Sequence, residues 1–182
     1  MTVIFNHTTR DGPHYSLLQS TWKNDACSNG KELTGLWFEG QKYSSIALDC
    51  IAHDKDDLPV FQETIRWLDT YFGGGIPDFT PPIRMHGTVF RQMVWEILLA
   101  IPYGQTTTYG EIARRVAREK KVPVMSAQAV GGAVGHNDIA LIIPCHRVVG
   151  KNGSLTGYAA GLDKKVYLLK MEKESQERLE KE

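Results

Sequence analysis

Residues 106–117, Thr106-Thr107-Thr108-Tyr109-Gly110-Glu111-Ile112-Ala113-Arg114-Arg115-Val116-Ala117, and residues 126–134, Ser126-Ala127-Gln128-Ala129-Val130-Gly131-Gly132-Ala133-Val134, decide how the second half of the chain folds. Thr108 with Glu111 three residues later is a capping box, in which hydroxyl and carboxylate satisfy free amides at a helix start. Ile112, Ala113, Val116 and Ala117 give the helix that follows a buried stripe. Ser126 reads as the N-cap of a second helix, Ala127 to Val134. Two short helices joined by a basic, polar connection (Arg114, Arg115, Arg118, Lys120, Lys121) suggest a helix-turn-helix. The second helix has few side chains able to reach base edges. Its small residues read either as tight packing in a core or as close, sequence-indifferent contact with a nucleic-acid groove.

Upstream, Phe90, Met93, Val94, Ile97, Leu98 and Ile101 repeat at helical spacing and are stopped by Pro102 and Gly104. Pro77, Pro81 and Pro82 make an extended, linker-like segment. Before it, Val60, Phe61, Thr64, Ile65, Leu68 and Phe72 form a helix that ends at Gly73-Gly74-Gly75. Tyr15 to Leu48, with Leu36-Trp37-Phe38 and Ile46-Ala47-Leu48, reads as strands of a small sheet. Downstream, Ile139 to Ile143 reads as a buried strand that delivers Pro144-Cys145-His146-Arg147-Val148-Val149-Gly150.

The chain has 182 residues, 42% hydrophobic and 23% charged, which excludes a disordered or collagen-like protein. Lys+Arg and Asp+Glu both number 21, but unevenly placed. Residues 1–84 hold 7 basic and 11 acidic groups, residues 85–170 hold 11 and 5, and residues 171–182 hold 3 and 5. A modestly basic second half suits a phosphate-contacting module. Neither a signal peptide nor an apolar stretch of ~20 residues is present, so a cytoplasmic protein without membrane contact is expected. Three cysteines, Cys27, Cys50 and Cys145, suggest free thiols in a reducing compartment. Cys27 and Cys50 read as small buried apolar residues and show no compact spacing for a metal.

Cys145, His146 and Arg147 fall where a rigid element meets a loop, a usual place for reactive groups. A thiolate is the nucleophile and His146 is a candidate base, although neighbours on a strand point to opposite faces and contact needs a turn or a water. The longer string is more specific. Gly132-Ala133-Val134-Gly135-His136-Asn137, Ile142-Ile143-Pro144-Cys145-His146-Arg147-Val148-Val149-Gly150, Leu155-Thr156-Gly157-Tyr158, Gly161-Leu162 and Leu168-Leu169 resemble the O6-alkylguanine-DNA alkyltransferases through residues 86–172. Leu33-Thr34-Gly35-Leu36-Trp37-Phe38-Glu39-Gly40 is similar to a strand region of that family's N-terminal domain.

The resemblance implies an α+β or α/β chain. A small RNase H-like α/β domain with linker (1–84) precedes a winged helix-turn-helix catalytic and DNA-binding domain (85–172) and a charged tail (173–182). It implies direct DNA repair, in which Cys145 accepts the alkyl group of O6-alkylguanine irreversibly, one turnover per molecule. His146 would take the thiol proton through a water, and Glu172 would orient His146. Asn137 would tie the recognition helix to the active-site turn. Tyr109 would press on the phosphate of the flipped nucleotide and hydrogen-bond its base. Tyr158 and the backbone of Ala159 would wall the pocket. Carbonyls near Cys145 and Val148 would select guanine, and Arg147 joins the substrate- and DNA-contacting set. The small-residue helix, with Gly131, would enter the minor groove of double-stranded DNA.

Two departures stand out. Gln128 occupies the place of the arginine that usually fills the gap left by the flipped base. The connection between the two helices is longer than in familiar members, with extra basic residues. No cofactor and no metal are expected, and the chain is expected to act as a monomer. Competing functions are a lesion-binding alkyltransferase-like sensor, a cysteine-based winged-helix regulator and a Cys-His hydrolase. The sensor reading sits poorly with the presence of Cys145, and the regulator with so few base-reading side chains.

Overall fold

The computed structural model describes residues 3–8, 23–43 and 58–181. It divides into two units, Met1–Met85 with Asp138–Ala140, and His86–Asn137 with Leu141–Glu182.

In the first unit, β1 (Val3–Thr8), β2 (Lys23–Ser28) and β3 (Leu33–Phe38) form an antiparallel sheet in that order. The β2–β3 turn is set by Asn29, whose Oδ1 accepts from the amides of Lys31 and Glu32, and by Gly30 at φ +95°. Helix α1 (Pro59–Phe72) buries Val60, Phe61, Thr64, Leu68 and Phe72 of the expected stripe, leaves Ile65 half-buried, and adds Trp67 and Tyr71 to it. Gly74, at φ +80°, lets the chain leave the helix. The proline-rich segment is extended as expected but is more than a linker. Leu33 donates to the Pro82 carbonyl at 2.7 Å and Arg84 donates to the Leu33 carbonyl at 2.8 Å. The predicted strand at Ile46-Ala47-Leu48 lies outside the described residues, as does Cys50.

Two expectations are corrected. Cys27 is buried but disulfide-bonded rather than a free thiol. An odd cysteine count argues against an all-paired framework, yet it leaves room for one pair and one free thiol. The run Ile139–Ile143 is buried but is not a strand. Ile139 makes a single parallel bridge with Leu36, and the chain then turns, with Leu141 at φ +68°. A short apolar run reports burial and does not distinguish a strand from a buried turn.

The second unit is built on four helices and a two-strand ladder. Helix α2 (Val89–Leu99) starts at Thr88, whose side chain accepts from the Arg91 amide. Its Trp95 Nε1 donates to the Ala133 carbonyl at 2.9 Å and so anchors the end of α4 (Ala127–Gly135). Thr107–Thr108 (β4) pairs in parallel with Val148–Val149 (β5). Helix α3 (Tyr109–Glu119) begins with the predicted capping box. The Glu111 amide donates to Thr108 Oγ1 at 3.1 Å, and Glu111 Oε2 accepts from the Thr108 amide at 2.8 Å. Ser126 caps α4 as its position suggests.

The end of α3 is a Schellman turn: Lys121 donates to the Arg118 carbonyl and Val122 to the Ala117 carbonyl. Lys121 occupies the left-handed position of that turn, at φ +55°, where glycine is usual. Helix α5 (Leu162–Leu179) runs without a break through residue 172, so residues expected as a charged tail continue its buried stripe at Ser175. Pairs such as Lys173–Glu177 lie on its exposed side. Among the described residues no helix is long and apolar enough to cross a membrane.

The capping box is the local feature most exposed to a single change. We expect Thr108→Ala to destabilise the protein by about 1 kcal/mol, read as a lower denaturant midpoint at unchanged slope.

Candidate active site

Residues Cys145–Arg147 form one short 3₁₀ turn between the buried apolar run and β5. The turn resolves the difficulty that neighbouring residues on a strand would diverge. Cys145 is a free thiol, 6% exposed. Its sulfur accepts from Asn137 Nδ2 at 3.2 Å, and the same amide group donates to the Ile143 carbonyl at 2.8 Å. Asn137 follows the C-cap of α4, so one side chain joins that helix's end to the cysteine turn.

His146 and Arg147 face α5. Glu172 Oε1 lies 2.8 Å from His146 Nε2. Arg147 donates through Nε to Oε2 at 2.9 Å and through Nη2 to Oε1 at 2.9 Å, a bidentate fork. Its Nη1 donates to the Ile101 carbonyl at 2.7 Å, and the Gly104 amide donates to Glu172 Oε2 at 3.2 Å. Burial raises the carboxyl's proton affinity, but the His146 contact and the Arg147 guanidinium outweigh it and hold Glu172 well below the usual carboxylate range. An ionised carboxylate only accepts, so Nε2 of His146 carries a hydrogen and Nδ1 is left as the basic atom of a neutral ring. Burial lowers the His146 pKa, and the neighbouring cations lower it further against the pull of Glu172. Arg147, expected at a ligand, is buried and directed into this network. Its guanidinium matches the two carboxylate oxygens better than it could match a distant partner.

Burial pushes the Cys145 thiol up, opposed by the Asn137 hydrogen bond and the Lys165 charge. The resting group is therefore a thiol that needs a base. Lys165 is a site residue the sequence reading missed. It is fully buried and donates to the carbonyls of Val148 (2.6 Å) and Thr156 (3.0 Å). Its signal was present: Lys165, Leu168, Met171, Glu172 and Ser175 share one helical stripe, and a charge on a buried stripe demands a partner. Tyr109 donates to the Thr156 carbonyl at 3.3 Å. Burial raises its phenol pKa, and the nearby cysteine adds to that. The Tyr158 hydroxyl is buried, and burial together with Cys145 pushes it well above the ordinary tyrosine value. Cys145, Tyr109, Tyr158 and Lys165 thus share one neighbourhood. Val148 is in it through its carbonyl, and Ala159 follows Tyr158, half-buried.

The outer face of α4 is a separate surface. Val130, Ala133 and Val134 are buried, while Ala127, Gln128, Ala129 and Gly132 are exposed and Gly131 is half-buried. A Cβ on Gly132 would meet nothing within 4 Å, and one on Gly131 would make ordinary contact with the Tyr109 ring at 3.8 Å. Core packing, one of the two readings of these small residues, does not account for them. Among the described residues no three His, Cys, Asp or Glu side chains are grouped to hold a metal ion.

What these elements define is a DNA-binding type of scaffold with a cysteine nucleophile built into it. Residues 89–174 match the model of the 6-O-methylguanine DNA methyltransferase DNA-binding domain, and residues 25–85 match that of the same family's ribonuclease-like domain. A methylated-DNA–protein-cysteine methyltransferase of Haemophilus influenzae is 43% identical over 147 residues, covering 80% of this chain and 78% of that protein. Its Methanosarcina acetivorans counterpart is 49% identical over 112 residues, 62% of this chain and 69% of that one. The crystal structure of Mycobacterium tuberculosis OGT in complex with DNA superposes with a TM-score of 0.72 at 34% identity, over 96% of this chain and 93% of the other. The chain belongs to the 6-O-methylguanine DNA methyltransferase family, with a ribonuclease-like N-terminal domain and a DNA-binding C-terminal domain.

Two outcomes follow from this geometry. Both His146 and Glu172 have folded-state pKa values below their unfolded ones. The stability each contributes is therefore complete above its unfolded pKa and is lost as pH falls towards the folded one. We expect the denaturation midpoint to drop on acidification from about pH 6.5 and to drop further below about pH 4.3. His146→Gln should remove the first part of that loss. Gly132→Ala should raise stability by about 0.5–1 kcal/mol, seen as a melting temperature about 1–4 °C higher.

Proposed function

We propose that this protein repairs DNA directly by moving the alkyl group of O6-alkylguanine onto Cys145, and is consumed in doing so. The observation that carries this reading is the buried pair of His146 and Glu172 at 2.8 Å, next in sequence to the free thiol of Cys145 on a helix-turn-helix unit. Nδ1 of His146 takes the thiol proton through one water. The Cys145 sulfur then forms a bond to the alkyl carbon as the carbon–O6 bond breaks, and the electron pair leaves with the guanine, which is protonated to its ordinary neutral form. Asn137 and Lys165 steady the developing thiolate. The thioether that results has no route to hydrolysis among these groups, which sets one transfer per molecule.

The α4 face, with Gln128 and Gly131, enters the minor groove of double-stranded DNA, and its open glycines leave room for a backbone to come close. The target base is flipped towards Cys145. Tyr109 meets the flipped nucleotide, Tyr158 and Ala159 wall its pocket, and the Val148 carbonyl accepts from the guanine amine. Residues 1–84 form the accompanying α/β domain and residues 85–172 the catalytic one. In this reading the chain acts as a monomer. In this reading the setting is cytoplasmic, where the acceptor thiol of Cys145 stays reduced, while Cys27 forms a disulfide.

The direct test is the intact and peptide mass of equimolar protein mixed with an oligonucleotide containing O6-methylguanine. We expect one methyl per protein, on Cys145, and none on Cys145→Ser. An unmodified protein that still binds the lesion would make it a sensor, and neither event would return it to the regulator class. His146→Gln should slow transfer by about 10²–10⁴-fold without changing the endpoint of one methyl per protein. A methyl added to Cys145 overpacks the Asn137 contact, and we expect the modified protein to be less stable by about 1–3 kcal/mol, measurable as a lower melting temperature.

A further inference from the structure

The long connection between α3 and α4 has no role in the chemistry above, yet it builds the wall of a groove. After the Schellman turn at Lys121 the chain folds back along α3, enclosing a volume of about 630 Å³. Small residues at the two helix starts and along α3, Gly110, Ala113, Ala117 and Ala127, also line it. The opposite wall is Val122 to Met125, with Val124 80% exposed. Arg114, Arg118 and Lys121 line it as well, and all three are exposed. Among the described residues neither Arg118 nor Lys121 enters an ion pair, whereas Arg115, which does not line the groove, is paired with Glu119 at 3.5 Å. Lys121 also holds a left-handed backbone position that glycine would fill without strain, so the sequence keeps a cation where the fold favours none.

We propose that this groove seats the sugar–phosphate backbone of the duplex flanking the lesion, with Arg118 and Lys121 each neutralising one phosphate. The inference rests on the DNA-repair reading and extends it. Two observations select this occupant. The groove begins at Gly110 and Ala127, the first turns of α3 and α4, so it is continuous with the surface assigned to DNA. Its exposed cations, Arg118 and Lys121, complement a polyanion, while the apolar, small-residue part of its lining fits deoxyribose. The extended connection thereby supplies sequence-independent affinity in a chain where Gln128 has replaced the cation expected in the minor groove.

The test is binding of a short undamaged duplex, followed by fluorescence anisotropy across roughly 50 to 200 mM salt, for the wild type, Arg118→Gln, Lys121→Gly and Arg115→Gln. Each phosphate contact contributes about 0.9 to the slope of log affinity against log salt, equivalent to about eightfold in affinity at 0.1 M salt. We expect Arg118→Gln and Lys121→Gly each to flatten the slope by about one. Arg115→Gln, which removes the same charge away from the groove, should leave it in place. Lys121→Gly relieves the left-handed residue, so its melting temperature should not fall and a loss of binding cannot be put down to unfolding. Unchanged slopes for Arg118→Gln and Lys121→Gly, an equal loss with Arg115→Gln, or no binding by the wild type would each overturn the proposal. Because the duplex is undamaged, the outcome is independent of alkyl transfer. Flattened slopes in a protein that fails to methylate would sustain the groove and defeat the repair reading.

Discussion

Glu172 is a carboxylate enclosed by its own molecule, and the rest of the site is arranged around its charge. Taking an ion out of water is costly, and a buried ion pair contributes little net stability compared with apolar residues of the same shape. What it contributes here is geometry. The carboxylate accepts from His146, from the Arg147 fork and from the Gly104 amide, and so draws the cysteine turn, α5 and the loop beyond α2 to one point. The same charge settles the histidine tautomer. With Nε2 committed, Nδ1 is the atom with a lone pair.

That arrangement divides the tasks of three consecutive residues. Cys145 turns towards Asn137 and the two tyrosines, while His146 and Arg147 turn to α5. Burial keeps the sulfur protonated and the imidazole neutral. A thiol in that state is a poor nucleophile towards small solutes, and it becomes a good one only when its proton can leave at the moment an alkyl carbon is in place. The Lys165 charge lowers the proton affinity of that thiol against the effect of burial, and its hydrogen bonds to the Val148 and Thr156 carbonyls tie α5 to the segment that leads to Tyr158.

Local chemistry made much of this legible in the sequence. Thr108, Glu111 and Ser126 announced their helices because a cap is decided within four residues, and periodicity alone gives Val94, Ile97 and Leu98 of the α2 stripe, though not Trp95. The contacts that make the site were less accessible. Glu172 lies 26 residues from His146 and Asn137 lies 8 from Cys145, and nothing local connects either pair. Resemblance to a family singled them out, and the fold accounts for the contacts. The apolar run 139–143 showed burial but not its turn, since the signal of apolar residues carries no backbone angle. Arg147 stands in the ligand-contacting set by resemblance, and the fold turns it to Glu172; for it as for Lys165, a cation suggests a surface until a buried acceptor is seen to match it.

Helix α5 also sets a limit on how this chain can vary in length. Lys165 and Glu172 are two turns apart on one rod, about 10.5 Å along its axis and within about 20° of the same side. One inserted or deleted residue between them would swing the carboxylate through about 100° and withdraw it from the cysteine turn. The connection after α3 is under no such phase constraint, because it ends one helix and starts another with separate caps. Insertions and deletions in such proteins should therefore be tolerated between α3 and α4 and purged from α5, leaving lineages that differ in the length of that connection while keeping the spacing of their chemistry.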